Sequence, residues 1–226
     1  MKYILRQKYL SEPRINRYLR ATNGNKERAK RLYNANIRLA QSFHPLLTQF
    51  EVVLRNSLNN QLSVFFSDNE WIINQKIGFM SNSSLRSSRY FLRRSVQKTE
   101  DNLINKRIAV TSGKIISNQT FGFWIAFFLS HHYMLIGGEP LKVFSYKPPT
   151  EDRARVYSKL DDIRKFRNRI NHCEPICFIG NTIDCNRIID IKQKLYNLIE
   201  WIEPDLIPFF DNIDNVNSKI TKTMSI

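Results

Sequence analysis

The sequence predicts an all-α fold with few or no strands, and three features lead to that prediction. Apolar residues recur at steps of three and four over long segments, as they do on the buried face of a helix. Only 7 of the 226 residues are glycine, so connections between helices should be few or short. Apart from a possible strand around 176–179, no segment of more than four residues alternates apolar and polar side chains.

Capping and turn signals place each helix in order along the chain. Ser11 is a suitable N-cap for the first helix. His44-Pro45 should mark a break or a kink between the second helix and a long third one, because proline disfavours a helical residue before it. Thr150 should cap a helix that ends near Asn171. The predicted helices are about 11–21, 26–42, 45–67, 89–108, 120–133, 150–171 and 186–203.

This pattern predicts a single domain over residues 1–211, followed by a frayed tail over 212–226. Within it, basic helices occupy 1–42 and the core occupies about 43–205. With 42% apolar residues, the chain can bury a sizeable core. Its three tryptophans are expected to belong to that core.

The charge favours a polyanionic partner. Thirty-five Lys and Arg face 20 Asp and Glu, a net charge of +15. The excess concentrates in residues 1–40, with eleven basic and two acidic residues, and in 81–108, with seven and two. Nucleic acid is the favoured partner. A membrane surface is the weaker alternative, because segment 88–107 has no tryptophan. Five cations are expected to follow a phosphate backbone or to solubilise the surface: Arg86, Arg89, Arg93, Arg94 and Lys98.

Several common classes of site are not predicted. The chain has neither a GxGxxG nor a GxxxxGK[ST] phosphate loop. Charges at positions 2, 6 and 8 leave no room for a signal-peptide core, and the longest apolar run, 121–129, is too short to span a membrane. We therefore expect a cytoplasmic protein. Three closely spaced cysteines suit reduced thiols better than disulfides or a zinc site, so no metal or cofactor is expected.

One helix carries residues that suit RNA cleavage. Its apolar stripe, Val156, Leu160, Ile163 and Ile170, would include position 167, where the residue is arginine. A charged residue at an apolar position of a helix often has a functional role. Asn168 and His172 lie four residues apart, and Arg167 completes an arc of about 140° around the helix.

These three side chains could cleave RNA without a metal. The ribose 2′-OH would be the nucleophile, His172 the acid or base, and Arg167 the phosphate clamp, while Asn168 orients one of them. The products would be a 2′,3′-cyclic phosphate and a 5′-hydroxyl. Arg followed by four to six residues and His is a weak signal, since about one match is expected by chance. A second match, Arg38 to His44, is attributed to chance.

The run RNRINHCEPI at 167–176 resembles the signature of the HEPN superfamily, and more narrowly of Abi-like (abortive-infection) bacterial proteins. FEVVLRNSLNNQL at 50–62 and ISNQTFGFWIAFF at 116–128 resemble the same family. The resemblance implies a helical bundle with one long catalytic helix, and metal-independent endoribonuclease activity through Arg167, Asn168 and His172. It also implies a role in phage defence or as a toxin restrained by an antitoxin.

The family builds its active site between two HEPN domains, and this chain carries one motif. The resemblance therefore predicts a homodimer with a composite site. Supporting roles beside the catalytic residues are expected for Glu51, Arg55, Asn56 and Glu174. The rival hypotheses are a non-catalytic RNA-binding or scaffold protein with the same fold, and a helical DNA-binding regulator. An inhibitory RNA is a further candidate partner.

Overall fold

A computed structural model describes residues 3–226, and it confirms the all-α class. The described chain contains twelve α-helices, several short 3₁₀ turns and one small β-hairpin. No helix in this part of the chain is long and apolar enough to cross a membrane. The helices are α1 (Tyr3–Leu10), α2 (Glu12–Arg20), α3 (Lys26–Phe66), α4 (Trp71–Asn74), α5 (Phe91–Asn105), α6 (Ser112–Asn118), α7 (Phe121–Ala126), α8 (Ser130–Leu135), α9 (Arg153–Asn171), α10 (Asn186–Ile202), α11 (Ile207–Ile213) and α12 (Val216–Met224).

The chain forms two compact units, whereas the sequence suggested one domain over residues 1–211. The first unit comprises residues 1–49, 165–196 and 205–226, and the second comprises 50–164 and 197–204. Helices α3, α9 and α10 each contribute residues to both. All three tryptophans lie in the second unit and are buried, as predicted for core residues: Trp71, Trp124 and Trp201.

The predicted break at His44-Pro45 is wrong, because α3 runs through Pro45 for 41 residues. A proline inside a helix removes one backbone hydrogen bond and costs about 3 kcal/mol. Three neighbours of the proline, Phe43, Leu46 and Leu47, are at most 4% exposed. Their burial contributes roughly 1.5–3 kcal/mol each and offsets that cost. The carbonyl that loses its helical partner at Pro45 is that of Gln41, four residues earlier, and Gln41 is exposed, so water can hydrogen-bond to it.

The buried helix predicted over 120–133 is two helices, α7 and α8. Thr120 caps α7, its hydroxyl accepting from the Phe123 N–H. An extended Leu129 then separates the two helices. Upstream, the segment 69–88 contains α4 and two 3₁₀ turns rather than purely irregular chain, and the basic helix predicted over 89–108 is the shorter α5. The uniform hydrophobicity of 120–133 thus predicted that the segment is buried, but it did not show where α7 ends and α8 begins.

The frayed tail predicted over 212–226 is also wrong, because it holds the end of α11 and all of α12. Val216 and Thr223 are at most 1% exposed. Asp214 fixes the entry to α12: its carboxylate accepts from the Val216 N–H at 2.8 Å and pairs with Lys192 on α10. Burial within the first unit, which the low local hydrophobicity does not predict, orders this segment.

The possible strand around 176–179 belongs to a small antiparallel hairpin, β1 (Phe178–Ile179) and β2 (Thr182–Ile183). Gly180 provides the left-handed conformation that its two-residue turn requires, with φ of 57°. The hairpin connects α9 to α10.

Candidate functional site

Helix α9 buries Val156, Leu160 and Ile163 as predicted, but its last turns bury a residue outside the predicted stripe. Asp152 rather than Thr150 caps the helix, its carboxylate accepting from the Arg155 N–H at 2.8 Å. After Ile163 the buried residue is Phe166, 1% exposed, whereas Arg167 is only half-buried. A step of three from Ile163 reaches Phe166 and a step of four reaches Arg167, so both satisfied the helical period. Arg167 therefore does not interrupt the apolar stripe.

Packing of Phe166 fixes the last turns of α9 within the first unit. Its ring contacts that of Phe43 on α3 edge-to-face, with centroids 4.8 Å apart. Such a pair contributes about 1 kcal/mol beyond the burial of its area. The backbone that carries Asn168 and His172 is therefore held against α3.

A Schellman motif ends α9 immediately after the candidate catalytic residues. The Glu174 N–H donates to the Arg169 carbonyl and the Cys173 N–H to the Ile170 carbonyl, both at 2.9 Å. Cys173 takes the left-handed conformation, with φ of 53°, which glycine usually occupies. The chain thus reverses direction one residue beyond His172.

Two side chains anchor the segment that follows this reversal. Asn36 of α3, 4% exposed, accepts a hydrogen bond from the Ile176 N–H at 2.7 Å. Arg169 donates through Nη2 to the Pro175 carbonyl at 2.5 Å. Both backbone groups would otherwise be left without partners in a buried segment. The end of α9 is therefore connected to α3 by a buried polar contact as well as by packing.

The candidate catalytic side chains face outwards from this anchored end. Asn168 and His172 are exposed, and one backbone hydrogen bond of 2.9 Å, from the His172 N–H to the Asn168 carbonyl, keeps them one turn apart. Their helical spacing places Arg167 within the same arc of about 140°. The Asn168 amide and the His172 imidazole are thus available to a ligand approaching from solvent, and Arg167 is half-buried next to them along the helix.

The predicted supporting residues fall into two groups. Glu51, Arg55 and Asn56 lie on α3 within the second unit, where Arg55 Nε contacts Asn56 Oδ1 at 3.4 Å. Their supporting role stays a prediction. The Glu174 carboxylate lies 3.5 Å from Arg169 Nε, and among the described residues it has no hydrogen bond to His172. Its supporting role also stays a prediction.

The five predicted RNA-binding cations are exposed and lie within residues 86–98 of the second unit, and we call this set the basic ridge. The ridge comprises Arg86, Arg89, Arg93, Arg94 and Lys98, and each of these residues is exposed. Among the described residues, none of them has an ion-pair partner. Arg89 and Tyr90 both adopt positive φ at the start of α5, a conformation that costs non-glycine residues about 1 kcal/mol each. A charged polymer could reach all five cations.

Other titratable groups are poorly placed for catalysis. Burial raises the pKa of the Cys177 thiol to about 12 and that of Cys185 to about 11, so neither provides a thiolate near neutral pH. His132 is fully buried and its Nδ1 lies 2.8 Å from the Ala126 carbonyl oxygen. Burial lowers its pKa to about 4. His132 is therefore a neutral core residue, whereas neighbouring His131 is exposed.

Sequence reasoning missed a cluster of three arginines beside α9. Arg17 of α2, Arg169 of α9 and Arg187 of α10 line a cleft of about 250 Å³ that we call the arginine cleft. Arg169 stands within the recognised motif run, but the other two are distant in sequence. A larger cavity of about 520 Å³ borders the end of α9 at Ile170 and Cys173, with mostly apolar and aromatic walls.

No protein-family model, curated protein or solved structure matches this chain.

Proposed function

We propose that this protein is a metal-independent endoribonuclease of the HEPN type, acting in phage defence by abortive infection or as the toxin of a toxin–antitoxin pair. One observation carries the proposal: Arg167, Asn168 and His172 occupy neighbouring positions at the anchored end of α9, with the amide and imidazole open to solvent. The resemblance of 167–176 to the HEPN signature supports the same activity. The basic ridge supports RNA as the substrate.

The proposed reaction is transesterification within the RNA strand. A histidine removes the proton from the 2′-OH, and the 2′ oxygen attacks the adjacent phosphorus. The P–O5′ bond breaks, and the departing 5′ oxygen takes a proton from a general acid. Arg167 neutralises charge that develops on the phosphate oxygens, and Asn168 orients the phosphate by hydrogen bonding. DNA lacks the 2′-OH and should not be cleaved.

A homodimer would provide both the base and the acid. One imidazole cannot accept the 2′ proton and donate to the 5′ oxygen in the same step, so the same histidine of a second copy is proposed as the other group. Light scattering after gel filtration should give a mass of two 26.8 kDa chains. The mass of one chain at working concentration would contradict the composite site.

Cleavage assays with matched variants test the activity. His172→Ala and Arg167→Ala should each reduce RNA cleavage about 100-fold or more, in the presence of EDTA. His131→Ala is the matched control, because His131 is an exposed histidine of the second unit and is not part of the α9 end. The variant should cleave at the wild-type rate and leave 2′,3′-cyclic phosphate ends.

The rival hypotheses give different results in the same assays. A non-catalytic RNA-binding protein would bind RNA without cleaving it, so the wild type and the His172 variant would behave alike. A DNA-binding regulator would bind double-stranded DNA more tightly than RNA. Cleavage that persists in His172→Ala with EDTA present would rule out the proposed mechanism.

A further inference from the structure

We propose that the arginine cleft binds a phosphodiester of single-stranded RNA next to the cleaved bond. This inference rests on the proposed function, and it assigns a role to Arg169, a variable position inside the motif run, and to Arg17 and Arg187 outside it. Arg17, Arg169 and Arg187 come from three different helices and line one cleft of about 250 Å³. Arginine forks suit phosphate oxygens, which they bind in pairs of hydrogen bonds.

The charge in this cleft is not balanced by the protein. Among the described residues, no Asp or Glu lines it, and neither Arg17 nor Arg187 has an ion pair. Glu174 approaches Arg169 at 3.5 Å, so three cations face one carboxylate. Burial lowers the pKa of Arg169, and the charges of Arg187 and Arg17 lower it further, while Glu174 opposes them. A bound anion would relieve this repulsion.

Two arginines of the cleft also occupy positions that are locally unfavourable for a cation. Arg187 lies in the first turn of α10, where the helix dipole disfavours a cation. Arg169 Nε is buried and makes no hydrogen bond among the described residues; the Glu174 carboxylate lies 3.5 Å away and compensates it only in part. Nη2 of the same side chain donates to the Pro175 carbonyl. Both features would be compensated by an anionic ligand.

The cleft has an apolar side that suits a nucleotide rather than a bare ion. The ring of Phe178 on β1 lines it, and the guanidinium carbon of Arg17 lies 5.8 Å from the centroid of that ring. Phe178 is only 6% exposed, so its ring forms an apolar wall, and the exposed Arg17 plane is the surface on which an unpaired base can stack. A phosphate on the arginines and a base against Arg17 would occupy the cleft together.

The cleft adjoins the candidate catalytic residues along α9. Arg169 precedes His172 by three residues, so the two side chains are about 60° apart around the helix and neighbours along it. An RNA strand with its reacting phosphate at His172 could place a flanking nucleotide in the cleft. The cleft would then position the strand and contribute affinity without taking part in the chemistry.

Binding of an RNA that cannot be cleaved tests this proposal independently of catalysis. A fluorescent 2′-O-methyl oligoribonucleotide lacks the nucleophile, and fluorescence anisotropy measures its Kd. Arg17→Gln and Arg187→Gln should each raise Kd about 5- to 10-fold and reduce the slope of log K against log salt by about 0.7, the value for one lost phosphate contact on a single strand. Both side chains are exposed, so the fold should tolerate these changes.

Arg20→Gln is the matched control, since Arg20 is exposed on the same helix as Arg17 but does not line the cleft. Its Kd should change less than about 2-fold, as expected for loss of one distant charge. If the control Arg20→Gln raised Kd as much as Arg17→Gln and Arg187→Gln do, RNA binding in the cleft would be refuted. The proposal of cleavage through His172 would be unaffected. Displacement of the oligonucleotide by micromolar inorganic phosphate would also overturn RNA binding in the cleft, because the site would then select a free anion. Binding without any cleavage by the wild type would refute the nuclease but retain the cleft.

Discussion

Asn36→Ala should destabilise the protein by removing the buried anchor of the α9 end. Its Oδ1 accepts the Ile176 N–H at 2.7 Å, and the two residues are 4% and 6% exposed. The substitution leaves that N–H buried without an acceptor, which costs about 1–3 kcal/mol. With a slope of about 2 kcal/mol per molar urea, a loss of 2 kcal/mol lowers the unfolding midpoint by about 1 M. Urea titration followed by circular dichroism at the helical band measures it.

Asn34→Ala provides the control for this experiment. Asn34 is exposed on the same helix, so its substitution carries the same gain in helix propensity, at most about 0.7 kcal/mol, without loss of a buried contact. The difference between the two variants isolates the Asn36 hydrogen bond. If Asn36→Ala were no less stable than Asn34→Ala, the contact would not anchor the segment after His172.

Three further changes should alter stability in defined directions, each measured by urea unfolding. Cys173→Gly should stabilise by about 1 kcal/mol, because glycine adopts the left-handed conformation without strain; Cys173→Ala should show no such gain. Burial lowers the pKa of His132 to about 4, so as the pH falls below about 6.5 this histidine is protonated in the unfolded state before the folded one. The free energy of unfolding should therefore decrease between pH 6.5 and pH 4, by roughly 3 kcal/mol in all. His132→Gln should reduce that decline, and His131→Gln should largely retain it. Glu100→Gln should destabilise by about 2 kcal/mol, because Glu100 is buried and pairs with Lys76, whose side chain is 21% exposed.

Periodicity and motif content predicted the helices that carry the candidate site, but not the interactions that override local signals. The break expected at Pro45 follows from proline alone, and only the burial of side chains on both sides of it explains a continuous α3. The period of α9 accepted either Phe166 or Arg167 as the buried member. Packing against Phe43, a residue distant in sequence, distinguishes them.

The arginine cleft shows the same limit for charged residues. Nothing in the local sequence of Arg17 or of Arg187 indicates that the two residues share a cleft. The folded chain brings them together with Arg169 and the hairpin that carries Phe178. By contrast, the exposure of the basic ridge could be anticipated, since its cations follow each other within one short segment.

Two spectroscopic signals report on different parts of this protein, because its tryptophans all lie in one of the two units. All three tryptophans belong to residues 50–164 and 197–204, so fluorescence excited selectively at tryptophan reports on the second unit alone. Circular dichroism reports on helices of both units, including the α9 end with His172. Coincident transitions by the two signals would indicate a single cooperative unfolding event. If the transitions were separate, subtracting the fluorescence transition from the circular dichroism transition would give the unfolding of the first unit, which bears the proposed catalytic residues. No label would be needed.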